Sequence, residues 1–455
     1  MIAQSTQPRR IAVIGAGIIG ACTALALTRE GFDVTVIDAE RPGGEQAASY
    51  GNGAFISPAS IIPMSVPGLW RKIPGYLLDR TGPLTIGWRS LPRLTPWLLR
   101  FLVAGWTEDR LRKTSTALTS LLTDGPDRHL SLAARIGRDD LIRRDGLLYA
   151  YPNRDAYLAE AHLWALRRAA GLSWRELDAD ALRREEPALS TRYEFGALVE
   201  SGAHCVDPGE YVRAILAASG AGLVQATVTG LMRGAGGISA IRTDQGHLDC
   251  DGAVLAAGMG AARLAAAIGD HIPLEAERGY HVELCNPPIQ LRRPVMPSDG
   301  KMANTMTAGG LRAAGQVELS RADARPDWRR ADILLAHLAS TYPALASVDR
   351  NGVRRWQGNR PSTPDGLPVI GAASVPGLWY AFGHGHLGLN AAPHTACMVA
   401  DMISGRGSDI DLAPFSPHRF ARTGRTTPTN SSDPVVEASA IAAGIHTKPQ
   451  GKART

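Results

Sequence analysis

Residues 10–38 combine apolar runs and glycines in a pattern that predicts a strand, a turn, a helix and a second strand. Residues 11–14 are a short apolar run, and residues 15–20 follow with the sequence Gly-Ala-Gly-Ile-Ile-Gly. Residues 21–29 are rich in helix formers, and residues 34–37 are a β-branched run that ends at Asp38. The pattern therefore indicates a βαβ unit at the start of the chain.

Periodic segments predict further elements. Residues 251–258 are an apolar run ending in glycine, which is typical of a buried strand. Alternation near 281–284 and 316–319 indicates two more strands, whereas the Gly, Pro, Ser and Asn of residues 42–68 predict mostly irregular structure. Helices are predicted at 108–137, 153–171, 208–219, 328–340 and 389–403.

The 15–20 turn has the chemistry of a dinucleotide-binding loop. Gly15 permits a tight turn, Gly17 allows close approach of a diphosphate to the backbone, and Gly20 allows the helix to pack on the strand. The helix N-terminus adds partial positive charge, and Asp38 is placed to bind ribose hydroxyls. The carboxylate of Asp38 argues against NADP as the ligand, because it would repel the 2′-phosphate. The loop alone does not distinguish NAD from FAD.

The charge of the chain is unevenly distributed. The net charge is +6, and 44% of the 455 residues are hydrophobic. Residues 70–113 hold nine basic and three acidic residues together with four of the nine tryptophans, and residues 421–455 hold five basic and two acidic residues. Because the rest of the chain is slightly acidic, it lacks the dense basic face of a nucleic-acid-binding domain. We therefore expect no nucleic-acid partner.

Several other classes of protein are excluded. No segment approaches the ~18–20 uncharged apolar residues of a membrane span. The first ten residues lack the apolar core of a signal peptide. The five cysteines show no C-x-x-C spacing, and no cluster of His, Cys and Asp indicates a metal site. We expect a protein of the reducing cytoplasm without a metal ion.

Five segments together resemble the FAD-dependent amino-acid oxidase superfamily, of the D-amino-acid oxidase and glycine oxidase type. The likeness is greatest to the D-amino-acid dehydrogenase small-subunit group, and it spans roughly residues 9–420. The most specific segment is 358–371, Gly-Asn-Arg-Pro-Ser-Thr-Pro-Asp-Gly-Leu-Pro-Val-Ile-Gly, followed by Gly-His-Gly-His-Leu-Gly-Leu-Asn at 383–390. The other segments that carry it are the 15–20 loop with Asp38, the 49–58 stretch, the 251–258 strand and the 310–318 stretch.

The resemblance implies a fold of two parts, one α/β and one α+β. A Rossmann-like FAD-binding domain is expected from residues 9–65, 185–270 and 350–415. A substrate domain with an antiparallel sheet is expected from residues 66–184 and 271–349. Residues 421–455 are rich in Thr, Pro and Ser without periodicity, which predicts a disordered tail.

The cofactor implied by the resemblance is FAD. The loop at 383–390 precedes a helix N-terminus, which suits the negative charge that flavin gains near N1 and C2=O on reduction. The 49–58 loop contains neither His nor Cys, so we expect the FAD to be held non-covalently. Ala54 stands where the dehydrogenase group has glycine, so a less permissive backbone is expected there. The residues expected to bind FAD are Gly15, Ala16, Gly17, Ile18, Ile19, Gly20, Asp38, Ser49, Asn52, Gly53, Ala54, Ile56, Val228, Ala257, Gly258, Arg360, Gly383, His384, Gly385, His386, Leu387 and Gly388.

Four residues are candidates for the catalytic site. An arginine should hold the substrate carboxylate, and Arg360 or Arg312 could do so, although either could instead have a structural role. Tyr280 could bond the carboxylate or be an ordinary strand residue. His384, with His386, could contact flavin or substrate and tune charge near neutral pH, or serve the turn.

The expected reaction is oxidation of a D-amino acid or a cyclic imino acid, such as D-proline or hydroxyproline, by hydride transfer to flavin N5. The imine of a primary amine would become a 2-oxo acid and ammonia, and the electrons would pass to quinone or another carrier. The alternatives are a glycine or sarcosine oxidase that uses oxygen, and a non-catalytic FAD-binding subunit that works with an additional subunit. Residues 70–113 could attach the protein to the cytoplasmic face of the inner membrane or could form a helical cap over the substrate domain.

Overall fold

A computed structural model describes residues 9–79, 82, 84–348, 352–421 and 435–437. The α-helices of these residues are α1 (Ile18–Arg29), α2 (Leu69–Leu78), α3 (Leu91–Ala104), α4 (Glu108–Leu122), α5 (Gly125–Arg135), α6 (Arg154–Leu158), α7 (Ala161–Ala169), α8 (Ala179–Glu185), α9 (Pro208–Ser219), α10 (Ala261–Ala267), α11 (Arg329–Thr341) and α12 (Gly388–Ile403). The strands are β1 (Arg10–Ile14), β2 (Asp33–Asp38), β3 (Phe55–Ile56), β4 (Leu84–Ile86), β5 (Ile142–Arg143), β6 (Leu147–Tyr151), β7 (Arg175–Leu177), β8 (Phe195–Val199), β9 (Ala203–Cys205), β10 (Gly222–Gln225), β11 (Val228–Gly234), β12 (Gly237–Thr243), β13 (Gly246–Asp249), β14 (Gly252–Leu255), β15 (Glu275–Leu284), β16 (Val295–Pro297), β17 (Ala303–Thr307), β18 (Gly310–Leu319), β19 (Val353–Ser362), β20 (Val369–Ala372), β21 (Leu378–Phe382) and β22 (Val435–Glu437).

A six-stranded sheet of order β10-β2-β1-β14-β21-β20 organises the first part of the fold, and all its pairs are parallel except β20 with β21. Side chains of β1 alternate between two cores. Ile11 and Val13 pack with α1, α9 and α12 on one face, while Ala12 and Ile14 pack toward α10 and β11–β12 on the other. Burial on both faces explains the continuous apolar run in the sequence. The predicted βαβ unit and the predicted strand near 251–258 are confirmed.

The predicted helices are found, with two of them divided. The helix expected at 108–137 is split into α4 and α5, because Pro126 stands at the N-terminus of α5 and starts a new helix there. The helix expected at 153–171 is likewise split into α6 and α7. The predictions at 208–219, 328–340 and 389–403 are confirmed to within one residue as α9, α11 and α12.

A second, larger sheet has the order β19-β15-β18-β17-β16-β6-β8-β7, with β4 beside β18. Most of its pairs are antiparallel, as expected for the substrate domain, while β16 with β6 and β4 with β18 are parallel. This sheet includes β8 and β19, which lie inside the ranges expected for the FAD-binding domain. Each pairs along its full length within this sheet, β8 with β6 and β19 with β15.

Two smaller sheets complete the fold, β13-β12-β11-β22 and β3-β9-β5. Of the tail expected to be disordered, only Ala421 and Val435–Glu437 fall among the described residues, and the latter pair with β11 as an antiparallel strand. The disorder expected for the rest of 421–455 lies outside the described residues. Among the described helices, none combines the length and the apolarity needed to cross a bilayer.

Candidate active site

A cavity of about 1160 Å³ lies between the carboxyl ends of the parallel strands, the second sheet and the segment from Ile62 to Leu102. It exceeds the ~300–1,000 Å³ of most ligand pockets, which leaves room for a dinucleotide together with a small substrate. Every residue expected to bind FAD lines it except Gly20 and Ile56. The structure therefore gathers segments from the whole length of the chain around one space.

The glycines of the first loop have different roles. Gly15 has φ of 108°, and a Cβ there would lie 2.5 Å from the Ala256 carbonyl oxygen. A Cβ on Gly20 would overlap the Gly15 carbonyl, so Gly20 is needed for packing of α1 and does not face the cavity. A Cβ on Gly17 would meet only Oγ of Ser49, at an ordinary contact distance of 3.4 Å, and the residue lines the cavity. Gly15 and Gly20 therefore shape the turn, and Gly17 faces the space where a ligand would lie.

Asp38 and Ser49 hold the loop from opposite sides. The Asp38 carboxylate accepts hydrogen bonds from the amides of Ala16 at 2.6 Å and Glu40 at 3.0 Å. Ser49 Oγ accepts one from the Ile18 amide at 3.0 Å. The first turn of α1 carries no acidic side chain, and its N-terminal residues line the cavity, so its partial positive charge is directed there. This arrangement suits a diphosphate.

The 49–54 loop is fixed by its own side chains. The amide of Ala54 donates to Asn52 Oδ1 at 2.6 Å, and Asn52 Nδ2 donates to the Ser49 carbonyl at 2.6 Å. Thr305 Oγ1 donates to the Gly53 carbonyl at 2.8 Å, which ties the loop to β17. Ala54 has φ of 60°, the left-handed conformation that glycine adopts more readily, so the loop keeps this conformation although alanine stands where the dehydrogenase group has glycine.

The loop before α12 closes the other end of the cavity. Gly383 and Gly385 have φ of 80° and 54°, and the Gly385 amide donates to the Pro361 carbonyl at 2.8 Å. Nε2 of His384 lies 3.1 Å from Oγ1 of Thr395. Burial lowers the pKa of His384 to about 3, and enclosure in the protein together with the Arg360 charge lowers the pKa of His386 to about 4. Both shifts favour the neutral imidazole, and contact of these rings with flavin or substrate stays a prediction.

Arg360 is the one predicted catalytic arginine that lines the cavity. It extends from β19 and donates to the Gln316 carbonyl at 3.1 Å, with the Gly315 carbonyl 3.5 Å away. Burial lowers its pKa, and the neighbouring Glu277 carboxyl partly offsets this. The remaining N–H groups of the guanidinium are available for a carboxylate.

Arg312 and Tyr280 do not line the cavity, which corrects the prediction that they contact substrate. Arg312 is buried, pairs with Glu283 and donates to the carbonyls of Tyr50 at 2.9 Å and Asn52 at 3.2 Å, so it anchors the 49–54 loop. The Tyr280 hydroxyl donates to Glu318 and accepts from the Asp327 amide at 3.0 Å. Tyr280 turns away because successive side chains of β15 alternate between the two faces of the sheet. Arg312 instead shares the face of Ala314, which lines the cavity, and it is covered by the 49–54 loop that it anchors.

Three further residues line the cavity that sequence reasoning missed: Glu277, Gln316 and Trp356. Gln316 lies on β18 with φ of 58°, and its backbone carbonyl accepts a hydrogen bond from Arg360. Trp356 donates to the Glu45 carbonyl at 2.7 Å and stacks on His281 with ring centroids 5.1 Å apart. Polar residues at alternate positions of the 275–283 strand, which begins Glu-Ala-Glu, were the available signal for Glu277.

Residues 62–102 form an apolar cap over the cavity. Its inward residues are Ile62, Val66, Leu69, Ile73, Leu84, Ile86, Leu91, Trp97, Leu98, Phe101 and Leu102. Trp97 is buried and stacks on Phe101 with ring centroids 5.3 Å apart. An apolar cap of this kind excludes water from the site. This position agrees with one of the two expectations for residues 70–113, a helical cap over the substrate domain.

Comparisons with known proteins point to one family. The profile of the DAO family, described as FAD dependent oxidoreductase, matches residues 10–402. A protein of Bradyrhizobium diazoefficiens named D-amino-acid oxidase is 48% identical over 417 residues, which cover 90% of this chain and 99% of that protein. A protein of Ralstonia nicotianae named D-amino acid dehydrogenase 2 is 30% identical over 432 residues, which cover 90% of this chain and 99% of that protein.

Solved structures share the fold at lower identity. Glycine oxidase from Bacillus cereus superimposes with a TM-score of 0.69 at 18% identity, covering 88% of this chain and 99% of that one. L-amino acid deaminase from Proteus vulgaris superimposes with a TM-score of 0.68 at 17% identity, covering 92% and 99%. These likenesses extend over nearly the whole of each compared chain.

Proposed function

Because the chain belongs to the DAO family of FAD-dependent oxidoreductases, we propose that it oxidises free D-amino acids, including cyclic ones such as D-proline. One observation carries the proposal: a single cavity extends from the 15–20 loop to Arg360. The name and the 48% identity of the Bradyrhizobium relative support a D-amino acid as the substrate.

The residues of the cavity fit FAD. Asp38 and Val228 line the cavity and would hold the ribose and adenine, and Gly17 leaves open space for the diphosphate at the N-terminus of α1. The 49–54 and 383–388 loops would enclose the flavin. At the second loop the N-terminus of α12 faces the cavity with no acidic residue in its first turn, which suits an anionic reduced ring. We expect the FAD to be released intact by acid denaturation.

When bound, FAD supplies the two-electron oxidation of the substrate Cα–N bond. Arg360 binds the substrate carboxylate and thereby fixes the position of the Cα–H. The two carbonyls that hold its guanidinium, and the apolar cap that excludes water, keep this geometry constant. The resulting imine is hydrolysed in water to a 2-oxo acid and ammonia when the amine is primary, whereas a cyclic substrate yields a cyclic imine.

The outer face of the cap supports a membrane-bound quinone as the electron acceptor. Trp70, Leu99, Val103 and Trp106 are exposed there and form what we name the outer cap patch. The two tryptophan rings stack 6.2 Å apart, and the Arg71 guanidinium lies 5.1 Å from the Trp70 ring. Exposed tryptophan and leucine beside basic residues suit the surface of an anionic bilayer.

Vesicle flotation tests the membrane part of the proposal. Binding to phosphatidylglycerol vesicles at low ionic strength, weakened by salt and by Trp70→Ala with Trp106→Ala, is the expected result. Trp328→Ala is the matched control, because Trp328 is exposed immediately before α11, outside the cap. Absence of flotation at low salt would contradict it.

Oxygen is the second candidate acceptor, since the Bradyrhizobium relative is named an oxidase. Hydrogen peroxide equal to substrate turnover would identify oxygen, whereas turnover only with a quinone analogue would identify the carrier. The same assay tests the reaction itself: a primary D-amino acid should yield equal amounts of 2-oxo acid and ammonia. Turnover of glycine or sarcosine alone, or no turnover with any acceptor, would replace the proposal by an oxidase of those substrates or by a non-catalytic subunit.

A further inference from the structure

We propose that Glu277 binds the ammonium group of the substrate, opposite the carboxylate site at Arg360. The assignment rests on the proposed function and adds the second half of a site for a zwitterion. Glu277 lies on β15, directly opposite Arg360 of β19 in the antiparallel register. Residues opposite each other in such a pair share one face of the sheet, and both line the cavity.

The two side chains lie close enough for their charges to attract, but they make no direct contact. Among the described residues, Arg360 donates to the carbonyls of β18, and no ion pair or hydrogen bond joins it to Glu277. A cation and an anion are therefore held on neighbouring strands of one wall, each available to a ligand of the opposite charge. An α-amino acid carries the complementary pair on adjacent atoms.

Glu277 has an unsatisfied carboxyl oxygen. The residue is 4% exposed, and its Oε2 has no hydrogen-bond partner among the described residues. A buried carboxylate without a partner is costly, so a ligand that donates N–H groups to it gains a strong, charge-assisted contact. Burial raises the pKa of Glu277, and the Arg360 charge and the hydroxyl of Ser362 across the same pair of strands partly offset this. Glu277 and Ser362 both line an adjoining cavity of about 20 Å³. That volume accommodates one water molecule, which could bridge the serine to the site.

The test compares ligands that differ only in the amino group. D-phenylalanine and 3-phenylpropanoate share a skeleton, and binding of each to the FAD-loaded protein is measured by perturbation of the flavin spectrum, alongside the rate of anaerobic flavin reduction. For Glu277→Gln we expect kcat/KM for D-phenylalanine to fall about 10- to 100-fold while the Kd of 3-phenylpropanoate changes less than about threefold. Arg360→Lys should weaken both ligands.

Glu275→Gln is the matched control. Glu275 lies two residues earlier on the same face of β15, but it pairs with Arg93 at 2.6 Å and does not line the cavity. This variant should bind both ligands as the wild type does. Glu277→Asp should recover part of the preference for the amino acid, because it restores the charge at a greater distance.

Three outcomes would overturn the assignment: equal weakening of both ligands in Glu277→Gln, no change in either, or loss of FAD without a change in the ratio of the two affinities. If D-phenylalanine and other D-amino acids fail to reduce the wild-type flavin, the proposed function fails. The ratio of affinities for the best-bound amino acid and its des-amino carboxylate then decides the Glu277 assignment separately.

Discussion

Arg312 and Glu283 form a buried ion pair, with Nη2 of the arginine 3.0 Å from Oε1 of the glutamate and both side chains at most 5% exposed. The same guanidinium donates to two carbonyls of the 49–54 loop. Burial raises the pKa of Glu283, but the Arg312 charge and the Thr307 hydrogen bond outweigh burial, so the pKa is lowered overall. The pair thus connects the second sheet to a loop that lines the cavity.

Arg312→Gln should destabilise the protein and loosen its hold on FAD. Removing one partner of a buried pair costs about 3–5 kcal/mol, because the remaining charge is left uncompensated. The measurements are the free energy of unfolding and the FAD content after gel filtration. Arg354→Gln is the control, since Arg354 is exposed and lies 3.9 Å from the same carboxylate. Equal effects of the two substitutions would refute the anchoring role of Arg312.

Arg360 and Tyr280 should respond in opposite ways to conservative substitution. Arg360→Lys loses the planar guanidinium that fits a carboxylate, and we expect kcat/KM for D-amino acids to fall about 100-fold. Tyr280→Phe should change kcat/KM less than about threefold while lowering stability by about 1–2 kcal/mol, because Glu318 and the Asp327 amide lose a partner. Stopped-flow reduction of the flavin gives kcat/KM for each of the two variants. A large fall in kcat/KM in Tyr280→Phe would contradict this prediction and indicate that Tyr280 contacts the substrate.

Gly15→Ala should prevent stable FAD binding. The added Cβ would lie 2.5 Å from the Ala256 carbonyl oxygen, so the turn would have to move. Gly31→Ala is a matched control, because Gly31 also has positive φ, 84°, but has no atom within 4 Å of an added Cβ. We expect Gly31→Ala to cost about 1 kcal/mol of stability and to retain its flavin absorbance. Retention of FAD by both variants would contradict the assignment of the turn.

The stability of the protein should fall on mild acidification. Burial lowers the pKa of His129, His204 and His281 to about 4 and that of His384 to about 3, with the Arg312 charge contributing at His281. The folded pKa lies below the unfolded value of about 6.5, so the contribution is complete above pH 6.5 and is lost as pH falls toward 4. We expect a loss of about 1 kcal/mol per histidine by pH 5.5.

Urea unfolding at pH 7.5 and 5.5 measures this loss. His129→Gln should reduce the difference between the two pH values by about a quarter. His247→Gln should leave it unchanged, because the His247 side chain is 63% exposed. An unchanged difference between the two pH values in His129→Gln would show that His129 is not held neutral in the folded protein.

The cofactor end of the site could be predicted from sequence because its signals are local. The turn at Gly15, the carboxylate of Asp38 and the loop before α12 each require a particular short sequence, and each lines the cavity. The positions of the substrate-binding residues depend on contacts between segments that are distant in the sequence. Arg312 and Arg360 look equivalent in sequence, and the strand register places both on one face of the second sheet, opposite Glu283 and Glu277 respectively. Only Arg360 lines the cavity, because the 49–54 loop covers Arg312.

The most direct measurement of the central claim is anaerobic reduction of the bound flavin by paired enantiomers. The account predicts bleaching of the flavin absorption near about 450 nm by D-amino acids, with Arg360→Lys reacting much more slowly at the same concentration. L-enantiomers should leave the spectrum oxidised over the same time. Bleaching by L- or N-methyl amino acids alone, or by no amino acid at all, would contradict the proposal that this enzyme oxidises D-amino acids.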